Sequence, residues 1–184
     1  MNSRHNVFVS YYHAEDQAYR EHFEGLFSGV HDIMVSKSVE IGDIDDTKLS
    51  TERIRQIIRD RYLKDSTVTV VLVGAHTWQR KFVDWEIGSS IRKTKNNKRS
   101  GLLGILLPTY PRPPGKPNNY YIHTVPPRLY KNIECGFAKI YNWSNNPDEV
   151  QGWIQEAFDR RNEDSPPDNS YPSFAKNRSN ERWS

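Results

Sequence analysis

Thr67-Val68-Thr69-Val70-Val71-Leu72-Val73-Gly74 is followed, after Ala75-His76-Thr77-Trp78-Gln79, by Arg80-Lys81-Phe82-Val83-Asp84-Trp85-Glu86-Ile87. The first stretch is a continuous β-branched run closed by a glycine, and it reads as a strand buried on both faces. The second opens a helix, because Val83, Ile87 and Ile91 recur every four residues and form a stripe that faces a sheet. In open α/β sheets, ligands bind beyond the carboxyl ends of the strands. Glu86, in the opening turns of that helix, therefore starts near the functional edge.

The same alternation extends in both directions. Asn6-Val7-Phe8-Val9-Ser10 is a short apolar strand that stops in Tyr11-Tyr12-His13, and Ala18, Tyr19, Phe23, Leu26 and Phe27 follow at helical spacing. Asp32 to Ser36 is predicted as a second strand. Ser50 is a fair N-cap for a helix with Ile54, Ile57, Ile58 and Leu63 on its apolar side. Residues 101–107 and 137–141 read as further strands, and 148–161 as a last helix with Val150, Trp153, Ile154 and Phe158 inward. Strands that are apolar throughout and alternate with helices predict an α/β three-layer sandwich. The expected sheet is five-stranded, parallel and flavodoxin-like, in the order 2-1-3-4-5.

Two regions depart from that pattern. Residues 108–130 contain seven of the eleven prolines together with Tyr110, Tyr120, Tyr121 and Tyr130. No long helix survives that density of proline, so a stiffened crossover is expected in place of the usual fourth helix, with a pocket wall or a plain surface excursion as its two readings. The domain is read as residues 1–162. Residues 163–184, rich in Ser, Asn, Pro and charge, are read as a flexible polar tail in which Tyr171, Phe174 and Trp183 offer docking points.

Composition narrows the function classes. Net charge is +3 with Lys and Arg interleaved among acids, which gives no reason to expect a nucleic-acid or membrane partner. The single cysteine, Cys135, excludes an internal disulfide or a thiolate metal cluster. No run approaches the ~20 apolar residues of a membrane span, and Met1-Asn2-Ser3-Arg4-His5 has no apolar signal core behind it. The expectation is a soluble cytoplasmic protein. No metal is expected, since the six histidines are scattered. There is no Gly-x-Gly-x-x-Gly, no Walker loop and no Gly-x-Ser-x-Gly elbow. A glycine-free turn at Ser10-Tyr11-Tyr12-His13 suits no close phosphate cradle. A phospho-receiver needs acids at the places held by Ser10, Tyr11 and Gly74. A lone carboxylate among aromatic and hydroxyl side chains remains.

The strand-turn Val7-Phe8-Val9-Ser10-Tyr11-Tyr12 and the helix opening Trp78 to Ile87, in this order, resemble the TIR domain. They are more similar to the TIR-like branch found in the ThsB subunit of the bacterial Thoeris antiphage system, over roughly residues 5 to 160. The resemblance implies NAD consumption resting on the glutamate of this helix, which here is Glu86, with Ser10, Tyr11 and Tyr12 as the signature turn. It further implies a cyclic ADP-ribose isomer that activates an effector protein, and leaves a phage-derived trigger and homo-oligomer formation open. NAD is then the substrate and no separate cofactor is expected. The acidic cluster Asp43, Asp45 and Asp46 falls where TIR domains have a mobile loop.

One carboxylate suffices for that chemistry. Expelling neutral nicotinamide from a pyridinium requires no general acid, so the barrier lies in the oxocarbenium-like charge on the ribose, which a fixed acid stabilises. Ordinary glycosidases need a second carboxyl for a basic leaving oxygen.

Around Glu86, His76 and Thr77 border the pocket by topology. Trp85 is either a wall for the sugar or simple core, with core favoured. For Tyr11 and Tyr12, stacking on a base competes with packing against the first helix. For Glu86 itself, the competing reading is a surface acid complementing the helix dipole, worth about 0.3–1 kcal/mol. Two other classes stay open: a nucleoside deoxyribosyltransferase-like N-glycosyl enzyme, and a non-catalytic TIR-like interaction scaffold.

Overall fold

The computed structural model describes residues 4–37, 47–162 and 165–184. Its centre is a five-stranded, all-parallel sheet in the order β2-β1-β3-β4-β5, as the apolar runs predict. The strands are β1 (His5–Ser10), β2 (Met34–Ser36), β3 (Val68–Val73), β4 (Gly101–Leu106) and β5 (Ala138–Asn142). Between them lie α1 (His13–Glu24), α2 (Thr51–Ile57), α3 (Lys81–Ser90) and α4 (Pro127–Glu134), and α5 (Pro147–Arg160) follows β5. Helices α1 and α2 each run on into a π-helical turn, Gly25–Val30 and Ile58–Tyr62. Ser50 caps α2 as expected, its Oγ accepting from Arg53 N at 3.2 Å. The acidic cluster Asp43, Asp45 and Asp46 lies outside the described residues.

Every residue of β3 and β4 is buried, because alternate side chains serve opposite faces. Val68, Val70 and Leu72 pack with Phe23 and Phe27 near the end of α1 and with Val150, Ile154 and Ala157 of α5. Val71 and Val73 turn the other way, onto Val83 and Ile87 of α3, Ile91 at its C-cap and Leu129 of α4. Phe8 of β1 joins Ile54, Ile58, Leu63 and Trp85 in a third cluster under α2. The register Ser10↔Val71 and Val73↔Leu106 brings β1, β3 and β4 to a common C-terminal edge. Among the described residues, no helix is long and apolar enough to cross a membrane.

The proline-rich crossover departs from expectation in two respects. A fourth helix is present, beginning at Pro127 with Pro126 as its N-cap. Proline breaks a helix interior, yet at the first helical position its missing N–H and fixed φ cost nothing. The crossover also does not wall the cavity beside Glu86, whose lining includes none of residues 108–130. It is pegged instead by Tyr110, whose hydroxyl donates to Tyr121 O (3.1 Å) and accepts from Tyr121 N (3.0 Å).

Residues 165–184, expected to be a flexible tail, are placed along α3 and α4. Phe174 and Trp183 are buried. Their backbone and ring groups are bonded: Trp85 Nε1 donates to Phe174 O (2.8 Å) and Trp183 Nε1 to Val125 O (2.7 Å). A buried ion pair anchors the segment. Arg128 Nε donates to Asp84 Oδ1 (3.0 Å), both side chains are 1–2% exposed, and the remaining Arg128 donors reach Asn169 Oδ1 (2.6 Å) and Tyr171 O (2.7 Å).

Gly101 is required by close approach, since a Cβ there would run into the Ala157 carbonyl of α5. Gly101→Ala is expected to lower the unfolding free energy by about 1–3 kcal/mol, the usual cost of overpacking. Denaturant titration with an unchanged m-value checks it, and a variant as stable as the parent would show that α5 is not seated there.

Candidate functional site

The turn after β1 and the first two turns of α3 meet at the C-terminal edge of the sheet and enclose a cavity of about 400 Å³. It is lined by Tyr11, Tyr12, His13, Arg80, Phe82, Val83, Glu86 and Asn177. Phe82, Val83 and Glu86 share one side of α3 because residues three and four apart fall on the same face. Glu86 is 1% exposed, so the reading of it as a solvated surface acid fails. Its carboxyl lies at the cavity floor, where Ser10 Oγ donates to Oε2.

Burial pushes the Glu86 carboxyl up to about 8, and the Ser10 hydroxyl pulls against that shift. Desolvation disfavours the charged form, and among the described residues no cation is bonded to this carboxyl to repay it. Near neutral pH the acid form of Glu86 is therefore favoured. An incoming positive charge would reverse that balance.

The two tyrosines of the turn differ. Tyr11 packs into the core with α1, as the competing reading of the sequence has it, and its hydroxyl donates to Gln17 Oε1 at 2.6 Å. Burial pushes that hydroxyl up to about 12, partly offset by Arg20. The His13 ring stacks on it at 4.2 Å. Tyr12 presents its ring to Arg80, whose guanidinium lies 4.3 Å from the ring centroid. Arg80 donates to neutral oxygens, Gln79 Oε1 (2.8 Å), His76 O (3.4 Å) and Tyr12 OH (3.4 Å), and lines the cavity.

Three of the residues assigned to substrate by position lie elsewhere. His76 Nδ1 meets the Glu15 carboxylate at 2.8 Å on the surface. Thr77 is buried behind the loop, its Oγ1 accepting from Gly74 N (2.8 Å) beside Asp16. That aspartate is itself pushed up to about 6 by burial and by Glu15. Trp85 belongs to the cluster under α2, the core alternative. One helical residue is a rotation of about 100°, so Trp85 and Glu86 cannot face the same space.

The structure adds His13, Arg80, Phe82, Val83 and Asn177 to the lining, none of which the sequence assigns to the site. Phe82 and Val83 were within reach, four and three residues before Glu86. Asn177 carried no signal.

Against known proteins, the family described as Thoeris protein ThsB, TIR-like domain, matches residues 8–112, more than half of the chain. That span runs from the second half of β1 through β4 and includes the Ser10-Tyr11-Tyr12 turn and Glu86. No curated protein matches the chain.

Because the native carboxyl keeps its proton to about pH 8 while an unfolded one loses it near 4.5, the native state binds more protons across that window. Stability then falls as pH rises through it. Glu86→Gln removes the slope. The difference in unfolding free energy is expected to move in favour of Gln from about pH 5 to about pH 8, by at most about 1.4 kcal/mol per unit. Parallel slopes would show that Glu86 is not desolvated.

Proposed function

We propose that this chain, which belongs to the Thoeris ThsB TIR-like domain family and is a TIR-like defence protein, cleaves the nicotinamide–ribose bond of NAD. The observation that carries the reading is a desolvated Glu86 at the floor of an aromatic-walled cavity at the sheet's C-terminal edge. NAD enters as a pyridinium cation, and its charge shifts the Glu86 equilibrium toward carboxylate. The C1′–N bond then breaks with its electron pair passing to the ring nitrogen, so nicotinamide leaves neutral. Charge left on the ribose is stabilised by the carboxylate, held in place by Ser10.

The ribosyl carbon next takes a nucleophile. Folding of the bound molecule between Tyr12 and Phe82, with water kept out, favours a nitrogen or hydroxyl of the same nucleotide over bulk water. The product is then a cyclic ADP-ribose isomer that diffuses to an effector protein. NAD serves as substrate, and no cofactor takes part.

Glu86→Gln is expected to abolish NAD loss and nicotinamide release while the fold persists. Chromatography of small molecules from phage-exposed cells carrying either form would check it, and unchanged turnover in the variant would remove Glu86 from the reaction.

The pH dependence has a definite sign. Since the ionised acid is the working form, kcat/KM, which reports the free enzyme, should climb with pH toward about 8. The kcat limb should lie lower, because bound NAD carries a positive charge. A kcat/KM that is level from about pH 6 to about pH 9 would contradict the assignment.

A further inference from the structure

The segment after α5 runs backward along α3, the helix that carries Glu86. Asn169 Nδ2 donates to Gly88 O (3.0 Å), the Phe174 amide to Asp84 Oδ2 (3.0 Å), and Lys81 N to Asn177 Oδ1 (2.9 Å). Beyond it, Arg178 N donates to Gln79 O at 2.8 Å. This course ends with Asn177 at the cavity, where all other lining residues come from the β1–α1 turn or from residues 80–86.

The bond to Lys81 determines how the Asn177 amide faces. A backbone N–H needs an oxygen, so Oδ1 is committed to capping the first residue of α3. Nδ2, a double donor, is left over. It contributes nothing to the cap, and Asn177, an exposed residue, lines the same cavity as Arg80, whose hydrogen-bond acceptors are neutral. A cation and a fixed amide donor at the wall, with an acid at the floor, match an anionic linker attached to a ribose.

We propose that Asn177 is a substrate-binding residue supplied by the C-terminal segment, its Nδ2 donating to a pyrophosphate oxygen of the dinucleotide. The proposal rests on the reading of the cavity as an NAD site. It adds a residue outside the matched span of 8–112 and makes residues 165–184 part of the site.

The test separates capping from binding. Asn177→Asp retains an oxygen for Lys81 N and places an acid at a helix N-terminus, so its Tm should equal or exceed that of the parent. It loses the donor and sets a negative charge against a phosphate. In calorimetric titration of the full chain with NAD, its Kd is expected to rise about tenfold, equal to about 1.4 kcal/mol. Asn177→Ala should lower Tm and weaken binding less.

A rise below about threefold in the aspartate variant, with the parent binding NAD, overturns the role of Asn177 and leaves the site assignment standing. A fall in its Tm overturns the cap geometry on which the inference depends. A parent chain that binds no NAD overturns the site assignment and this inference together.

Discussion

The pair Asp84–Arg128 holds the functional half of the molecule together. Both charges are almost wholly removed from water, and such a pair is tolerable only when every remaining donor and acceptor is satisfied. Asp84 uses its second oxygen for the Phe174 amide, and Arg128 spends its outer nitrogens on Asn169 and Tyr171. Helix α3, helix α4 and residues 165–184 thus complete one another's hydrogen bonds. Without the segment, a guanidinium would sit buried with donors unmet. Without the pair, the segment would lose its anchor and Asn177 its place.

Two residues along α3 a second buried acid has a different partner. Glu86 has a hydroxyl where Asp84 has a guanidinium, and its carboxyl rises accordingly. One helix therefore carries a structural acid paired with a cation and, two residues later, an acid whose burial favours its protonated form. The contrast is a physical reason to assign them different work.

The sheet was legible because parallel strands buried on both faces must be apolar at every position, as β3 and β4 are. Glu86 was legible for a topological reason, since a helix following a central strand opens at the binding edge. Side-chain direction was not. His76 and Thr77 lie in the correct loop but point to Glu15 and Gly74, and Trp85 is turned under α2. Helix α4 was concealed because Pro126 and Pro127 read as breakers when they are a start. The docking of residues 165–184 was concealed by polar composition. Its attachment is made mostly by backbone groups, Phe174 N and O and Tyr171 O among them, with Phe174 and Trp183 as apolar anchors. Backbone hydrogen bonding leaves no trace in residue identity.

Floor and wall of the cavity differ in thermodynamic depth. Ser10 and the strand it ends are sewn into the middle of the sheet, so they become accessible only when the whole domain opens. The Asn177 side is joined across some 90 residues of chain, and between the anchors Phe174 and Trp183 its residues are largely exposed. Such a stretch belongs to the low-energy end of native-state opening. The Asn177 side of the pocket is thus the side expected to exchange its amide hydrogens first, while the acid beneath is held by the sheet.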